Sequence, residues 1–506
     1  IGLDFLSAIR AKWLGDVASN CPGGSPESYV EMLLPSISNF VLLSDRIQAF
    51  ISNETDIFPL GGLAGRTSHR LDLSPTMLRV RPSDFQILEY NADGDGIPVS
   101  TEVVSQALQG EIKGDANSIV ALYRQLPQTI DGALKPGFLS GFILENKTNV
   151  SQPWYFVEPI RSLVRPLVPD DPEGLVNKCF KEGTHIVYLV GVDISMPSRE
   201  SLFRVDLDPQ DLDPAPQNID YSSLIGTLSR EIHINAISDR AFHHLYENVI
   251  REKRWWQGQE EVLNLINAFY AAVIPGLTFR VSSLESWPPL TDGPGAPIAD
   301  ALGRGVSGGL VADADGDNNA DINAFELLCD YAQGVVPELG STPGMHANLL
   351  NDRFPLPPPP HGHGSNMMVA HLFTGYDLGP MADGTALADS GGGFCDVACG
   401  SAADIVGMAE GIGGFNSSTS SGCRISIAHL NADPEAFGMA HHSISQHHPE
   451  LGQSEVNVNF QATLYQRFLL VAHEIGHNLG FKHAEVSTRS IMQTPLRSDI
   501  QFSLFE

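Results

Sequence analysis

Basic residues are scarce in this chain. Its 506 residues carry 60 Asp and Glu against 30 Lys and Arg, a formal net charge of -30. A surface that negative repels nucleic acid and anionic membranes, while it favours solubility and cation binding. Long apolar runs are lacking too. No uninterrupted stretch reaches bilayer length, so no membrane span is expected. The six cysteines are too few for a disulfide scaffold in a chain this long. Cys395, Cys399 and Cys423 form a cluster in which one pair could bridge. The chain opens at Ile1 with no charged-then-apolar leader, so a secretion signal is expected to be removed or to lie outside this sequence. What is present, 42% hydrophobic and 18% charged residues, is ordinary for a folded protein with room for two or three domains.

The chemistry gathers near the C-terminus, in His473-Glu474-Ile475-Gly476-His477-Asn478-Leu479-Gly480-Phe481-Lys482-His483. Side chains at i and i+4 of a helix share a face, so His473 and His477 can grip one metal ion. Glu474 can reach a metal-bound water without being a ligand. Gly480 accepts a left-handed cap and ends the helix, which lets His483 return as a third ligand. Three neutral nitrogens with an open fourth position are the recipe for a catalytic zinc. Leu464, Phe468, Ala472, Ile475 and Leu479 form an apolar stripe at helical spacing. That stripe is expected to face the core, with His473 and His477 on another side. Met492, in Ser490-Ile491-Met492-Gln493, suits a tight turn beneath the metal.

This pattern resembles the long zinc motif and Met-turn of the metzincin metalloproteases, and its wording is closest to the adamalysin (reprolysin) branch. Adamalysins usually place Asp directly after the third histidine, where this chain has Ala484 and then Glu485. The resemblance implies a zinc endopeptidase with ligands His473, His477 and His483, the base Glu474 and the Met-turn residue Met492.

The rest of the chain reads as an α+β multidomain protein. Residues 1–70 are expected to form a helical segment, with Phe5, Leu6, Ile9 and Trp13, then Val30, Leu33, Leu34, Ile37 and Phe40, at helical spacing. The run Pro22-Gly23-Gly24-Ser25-Pro26 breaks it. Residues 71–205 read as short strands, among them 118–122, 137–143, 154–159 and 185–189. That β-rich string resembles the propeptide of adamalysin-type proteases, which implies a zymogen whose N-terminal region covers the zinc cleft and whose cleavage raises activity. Residues 206–228, with Asp206, Asp208, Asp211 and Asp213 among prolines, are an acidic linker. Residues 229–506 are then the metzincin-like α/β catalytic domain, with a mixed sheet and a zinc-binding active-site helix. It begins with strand, helix, strand: Ile232, Ile234 and Ala236; Val262 to Tyr270; Leu277 to Val281. Glu285-Ser286-Trp287 and His371-Leu372-Phe373-Thr374-Gly375 resemble adamalysin wording, and Gly384 to Ala388 would by that resemblance lie near the edge strand that pairs with substrate.

Residues 291–360 read as an insertion containing an EF-hand-like calcium loop. Asp315, Asp317 and Asn319 offer side-chain oxygens, Asp321 its carbonyl, Asn323 a water or direct contact and Glu326 a bidentate carboxylate. Ala320 stands where a glycine is usual, and Ile322 takes the eighth place, where paired loops make a small strand contact. A second acidic run, Asn91 to Gly96 with Glu102, fits either a calcium loop or a hairpin turn, and Asp-Gly chemistry with Pro98 at the eighth place favours the hairpin. Cys179 precedes the strand at 185–189, a position suited to a buried or idle thiol rather than a latency thiol. His361, His363, His441, His442, His447 and His448 lack ligand spacing on a regular element and are expected in loops. Sequons at Asn53, Asn146, Asn149 and Asn416 permit glycosylation if the protein is secreted by a eukaryote.

The functional expectation is a secreted zinc endopeptidase acting on proteins or peptides, with Zn2+ as cofactor and Ca2+ at the loop. The alternative is a calcium-binding extracellular or matrix protein whose protease-like domain does not cleave.

Overall fold

The computed structural model describes residues 21–34, 37–79, 85–90, 96–99, 105–130, 133–146, 153–168, 171, 174–190, 230–273, 276–286, 310–311, 321–323, 368–375, 378–379, 407–409, 440–446, 463–478 and 491. The strands in chain order are β1 (Phe40–Leu43), β2 (Ile57–Pro59), β3 (Ser68–Pro75), β4 (Gln86–Tyr90), β5 (Gly96–Pro98), β6 (Ser105–Ile112) and β7 (Asp115–Gln125). There follow β8 (Gln128–Ile130), β9 (Ala133–Lys135), β10 (Phe138–Leu144), β11 (Trp154–Pro159), β12 (His185–Val190), β13 (Arg230–Ser238) and β14 (Leu277–Ser286). The last are β15 (Leu310–Val311), β16 (Asp321–Asn323), β17 (Met368–Thr374), β18 (Leu378–Gly379), β19 (Gly407–Ala409) and β20 (Ala440–Gln446). The helices used below are α1 (Pro26–Leu33), α2 (Asp45–Ile51), α3 (Trp255–Val273) and α4 (Leu464–Asn478). The described part is therefore mixed α and β, with strands predominating.

Two sheets dominate. The first is antiparallel, in the order β1-β12-β11-β10-β7-β6-β3-β2. Strands at 118–122, 154–159 and 185–189 fall inside β7, β11 and β12, and 137–143 overlaps β10 from Phe138 on; apolar residues run on both faces of these strands. One face (Phe142, Trp154, Phe156, Tyr188) looks to the main core. The other (Val120, Leu122, Ile143, Val157) packs under Ile47, Phe50 and Ile51 of α2. The second sheet has the order β19-β20-β17-β13-β14-β4-β5. Its inner pairings are parallel and both edge strands run antiparallel.

Helices α3 and α4 pack between these sheets: α3 touches β14 on one side and β7, β6 and β10 on the other, while α4 touches β20, β19 and β17 as well as β11. Being covered on both sides, α3 buries polar residues as well as apolar ones. Each of several finds a partner, as a buried polar group must. Tyr123 donates to Glu260 at 2.6 Å, Asn264 donates to the Leu122 carbonyl at 3.0 Å, and Gln109 donates to Asn264 at 3.0 Å. On the other side, Phe279 N donates to Asn267 at 2.9 Å.

Several expectations are corrected. The segment 1–70 is only partly helical where described: Phe40, expected at a helical position, lies on β1, paired with Tyr188. The consecutive apolar run Phe40 to Leu43 fits either period, and pairing with β12 decides it. The division between residues 71–205 and 229–506 does not separate the sheets, because β4 pairs with β14, Ser283 opposite Gln86. Cys179 is not an idle thiol but is bonded to Cys21, with a Cα–Cα distance of 5.0 Å that suits a disulfide. His441 and His442 sit on β20, not in a loop. Flanking pairings with β17 and β19 make that strand, although its sequence has little apolar alternation. Asn91 to Asp95 lie outside the described residues, but the strands on either side pair antiparallel with Tyr90 opposite Gly96, as a hairpin requires.

Two buried histidines give the fold an acid limit. His185 accepts from Leu139 N at 2.9 Å and donates Nδ1–H to the Gly183 carbonyl at 2.9 Å, so it is held neutral. Burial lowers its pKa from 6.5 to about 4. His371, enclosed in the second sheet, is lowered by burial to about 3. As pH falls below ~6.5 the unfolded chain takes up these protons first, so stability is lost downward from there, at about 1.4 kcal/mol per pH unit for each histidine. His185→Gln should flatten the fall in melting temperature between pH 6.5 and 4; an unchanged slope would remove His185 from this account.

Candidate metal-dependent active site

Helix α4 carries the motif. Its start is built from local chemistry: Gln466 N donates to Thr463 Oγ1 at 3.2 Å and Thr463 N donates to Gln466 Oε1 at 3.1 Å, a reciprocal capping box. The stripe Leu464, Phe468, Ala472 and Ile475 is buried as expected, but so are Leu469, Leu470 and Val471. The helix is enclosed rather than amphipathic, since sheets stand on both sides of it.

His473 is 5% exposed, and its Nδ1 lies 2.6 Å from the Ile491 carbonyl, which can only accept. The proton of the neutral ring is therefore on Nδ1, which makes Nε2 its acceptor nitrogen. A metal-ligating imidazole is ordinarily held in this way, its second nitrogen bonded to a carbonyl. Ile491 immediately precedes Met492, so the expected Met-turn segment meets the first expected ligand. Glu474 is 4% exposed, and burial holds its carboxyl well above the usual carboxylate range. Tyr270 of α3 donates to the Ala472 carbonyl at 2.5 Å, beside both residues.

His477 is on α4, one turn after His473; its side chain, together with His483 and Met492, lies outside the described residues. Among the described residues no three His, Cys, Asp or Glu side chains converge on one point. The donor type and the fixed tautomer of His473 fit a zinc ion, for which imidazole nitrogen is a usual ligand. At the calcium loop, Ile322 does lie in a short strand, between Leu310 and Leu378. The backbone of Asp321 and Asn323 is described, whereas Asp315, Asp317, Asn319 and Glu326 are outside the described residues. So is Gly384 to Ala388; the described edge strand is β19.

Residues far from the motif hold α4 in place, and sequence reasoning did not find them. At its C-terminal end Asn478 donates to Ser443 Oγ at 2.8 Å; Ser443 and Ser445 each lie 2.7 Å from a ring nitrogen of His371. At its N-terminal end, Glu158 of β11 accepts from Leu464 N at 2.9 Å and from Tyr188 OH at 2.9 Å. Arg467 reaches Glu158 at 3.1 Å and Glu261 at 3.1 Å, and Lys253 also pairs with Glu261. Arg467 further donates to Tyr246 OH at 2.7 Å. Gly258 of α3 makes room for that tyrosine, since a Cβ there would lie 2.2 Å from its ring. Removing one member of such a buried pair costs about 3–5 kcal/mol, because a charge is stranded. The Thr463–Gln466 spacing is a local signal for the capping box that sequence reasoning missed; the partners on β11, β17 and β20 carry no local signal. The chain matches no protein-family model and no curated protein sequence.

Proposed function

We propose that the chain is a zinc-dependent endopeptidase of metzincin type, closest to the adamalysins, acting on proteins or peptides outside the cell. The observation that carries this reading is His473: its Nδ1–H is engaged by Ile491 O at 2.6 Å, which fixes the ring's tautomer beside a buried Glu474. A mixed sheet followed by an enclosed helix bearing the motif supports it. His473, His477 and His483 would hold the metal. Zinc, when bound, supplies Lewis-acid chemistry, polarising a peptide carbonyl and lowering the pKa of water to ~7. Glu474 takes a proton from the attacking water and delivers it to the leaving amine. Met492 shapes the floor and does not react.

The rival is a calcium-binding extracellular protein that does not cleave. An intact Glu474 favours the enzyme, since losing that base is the simplest way to silence such a site. Calcium at Asp315 to Glu326 is proposed as a structural ion, supported by the strand at Ile322; a melting temperature indifferent to calcium would remove it. Metal analysis tests the main reading: the chain should hold one zinc, and His477→Ala should lose it. Stoichiometric zinc in that variant would overturn the ligand set.

A further inference from the structure

The N-terminal half is built into the C-terminal half. The chain leaves the first sheet after β3, and the Leu78 carbonyl accepts from Val281 N at 2.7 Å. The hairpin β4–β5 then extends the second sheet beyond β14, with Ser283 to Ser286 opposite Gln86 to Glu89. The first sheet also supplies the environment of α4. Trp154 and Phe156 of β11 lie against Tyr465 (ring centroids 6.0 and 5.2 Å) and Phe468 (6.1 and 6.3 Å). Glu158, fully buried on the same strand, receives the Leu464 N–H of the first helical turn and the Arg467 guanidinium. A carboxylate at that place complements the helix dipole as well as the arginine.

A cover destined to leave needs a remaining half that can stand in water. Here, separation would bare Phe468, Leu464 and Tyr465 together, open the β14 edge, and leave Arg467 without one of its carboxylates. Open edges and large apolar patches are liabilities that soluble proteins avoid.

We propose that the eight-stranded sheet is a permanent half of the folded protein, with Glu158 a positioning residue that holds the His473–Asn478 helix through Leu464 N and Arg467. The permanence stands without the zinc reading; the positioning role rests on it.

The test uses the full chain with a sequence-specific protease site inserted between residues 206 and 218. After cutting, the two fragments should co-elute at the size of the intact chain in native buffer, separating only in denaturant, with zinc content and peptide hydrolysis unchanged. Fragments that separate in native buffer, leaving a folded C-terminal piece with raised activity, would overturn the proposal and restore a removable cover. Co-elution is read without activity, so a chain that held no zinc would sink the zinc reading and leave this outcome readable. For the positioning role, Glu158→Ala should lower kcat by roughly 100-fold at unchanged KM, the scale of a misplacement near 1 Å. Glu158→Gln, which keeps an acceptor for Leu464 N, should recover part of that loss. Rates are read well below each variant's melting temperature. Full kcat in folded Glu158→Ala, or no recovery in folded Glu158→Gln, would overturn the role.

Discussion

Glu474→Gln is expected to keep its zinc and lose about 100- to 10,000-fold in turnover, the usual contribution of a positioned general base. The substitution is nearly isosteric, and Glu474 is not among the proposed ligands, so metal content should not change. It removes the one function an amide cannot supply, which is taking a proton. The site makes the experiment clean. Glu474 is 4% exposed, and an amide of the same shape costs less to desolvate there than a carboxylate. The variant should therefore fold at least as stably as the parent. Zinc content and hydrolysis of a broad protein substrate are measured side by side. Near-normal hydrolysis would place the base elsewhere, and joint loss of zinc and activity would make Glu474 a ligand.

Phe468→Ala carries the second largest expected effect, a destabilisation of about 3–5 kcal/mol. Its ring is fully buried and lies 6.0 Å from Phe142, 6.1 Å from Trp154 and 5.4 Å from Phe269 by ring centroids. Two of those partners belong to the first sheet and one to α3, so the cavity would open where both halves of the molecule meet. Aromatic pairs add about 0.5–1.5 kcal/mol each beyond the area they bury, which places the loss toward the upper end of that range. Calorimetry should show one transition for both sheets, shifted downward. A loss under about 1 kcal/mol, far below the usual range for a buried aromatic, would mean that the ring is not part of a shared core.

Much of the fold was readable from local pattern. The strands β7, β10, β11 and β12 were visible because their apolar residues form short runs bounded by turn residues. The strand-helix-strand unit of β13, α3 and β14 followed from a switch between the two periods. The edge of the second sheet was not readable: Ile87 and Leu88 say strand, but nothing in them says which sheet. Nor was β20, whose Ala-His-His-Ser-Ile-Ser-Gln sequence is made a strand by its neighbours on both sides. Cys21 and Cys179 stand 158 residues apart, and only their approach in space makes them a pair.

By itself the sequence determined the chemistry that depends on neighbours along the chain. The helix around His473, its capping box at Thr463 and the one-turn spacing of His473 and His477 all come from contacts within four residues. Only the tertiary structure decided what surrounds that helix. The tautomer of His473 depends on a carbonyl 18 residues away, and the helix start depends on a carboxylate 309 residues from the arginine it pairs with. The physical reason is that a helical turn repeats at a fixed period and leaves its mark in composition, whereas a buried hydrogen bond between distant strands and helices needs one donor and one acceptor at whatever separation the packing brings together.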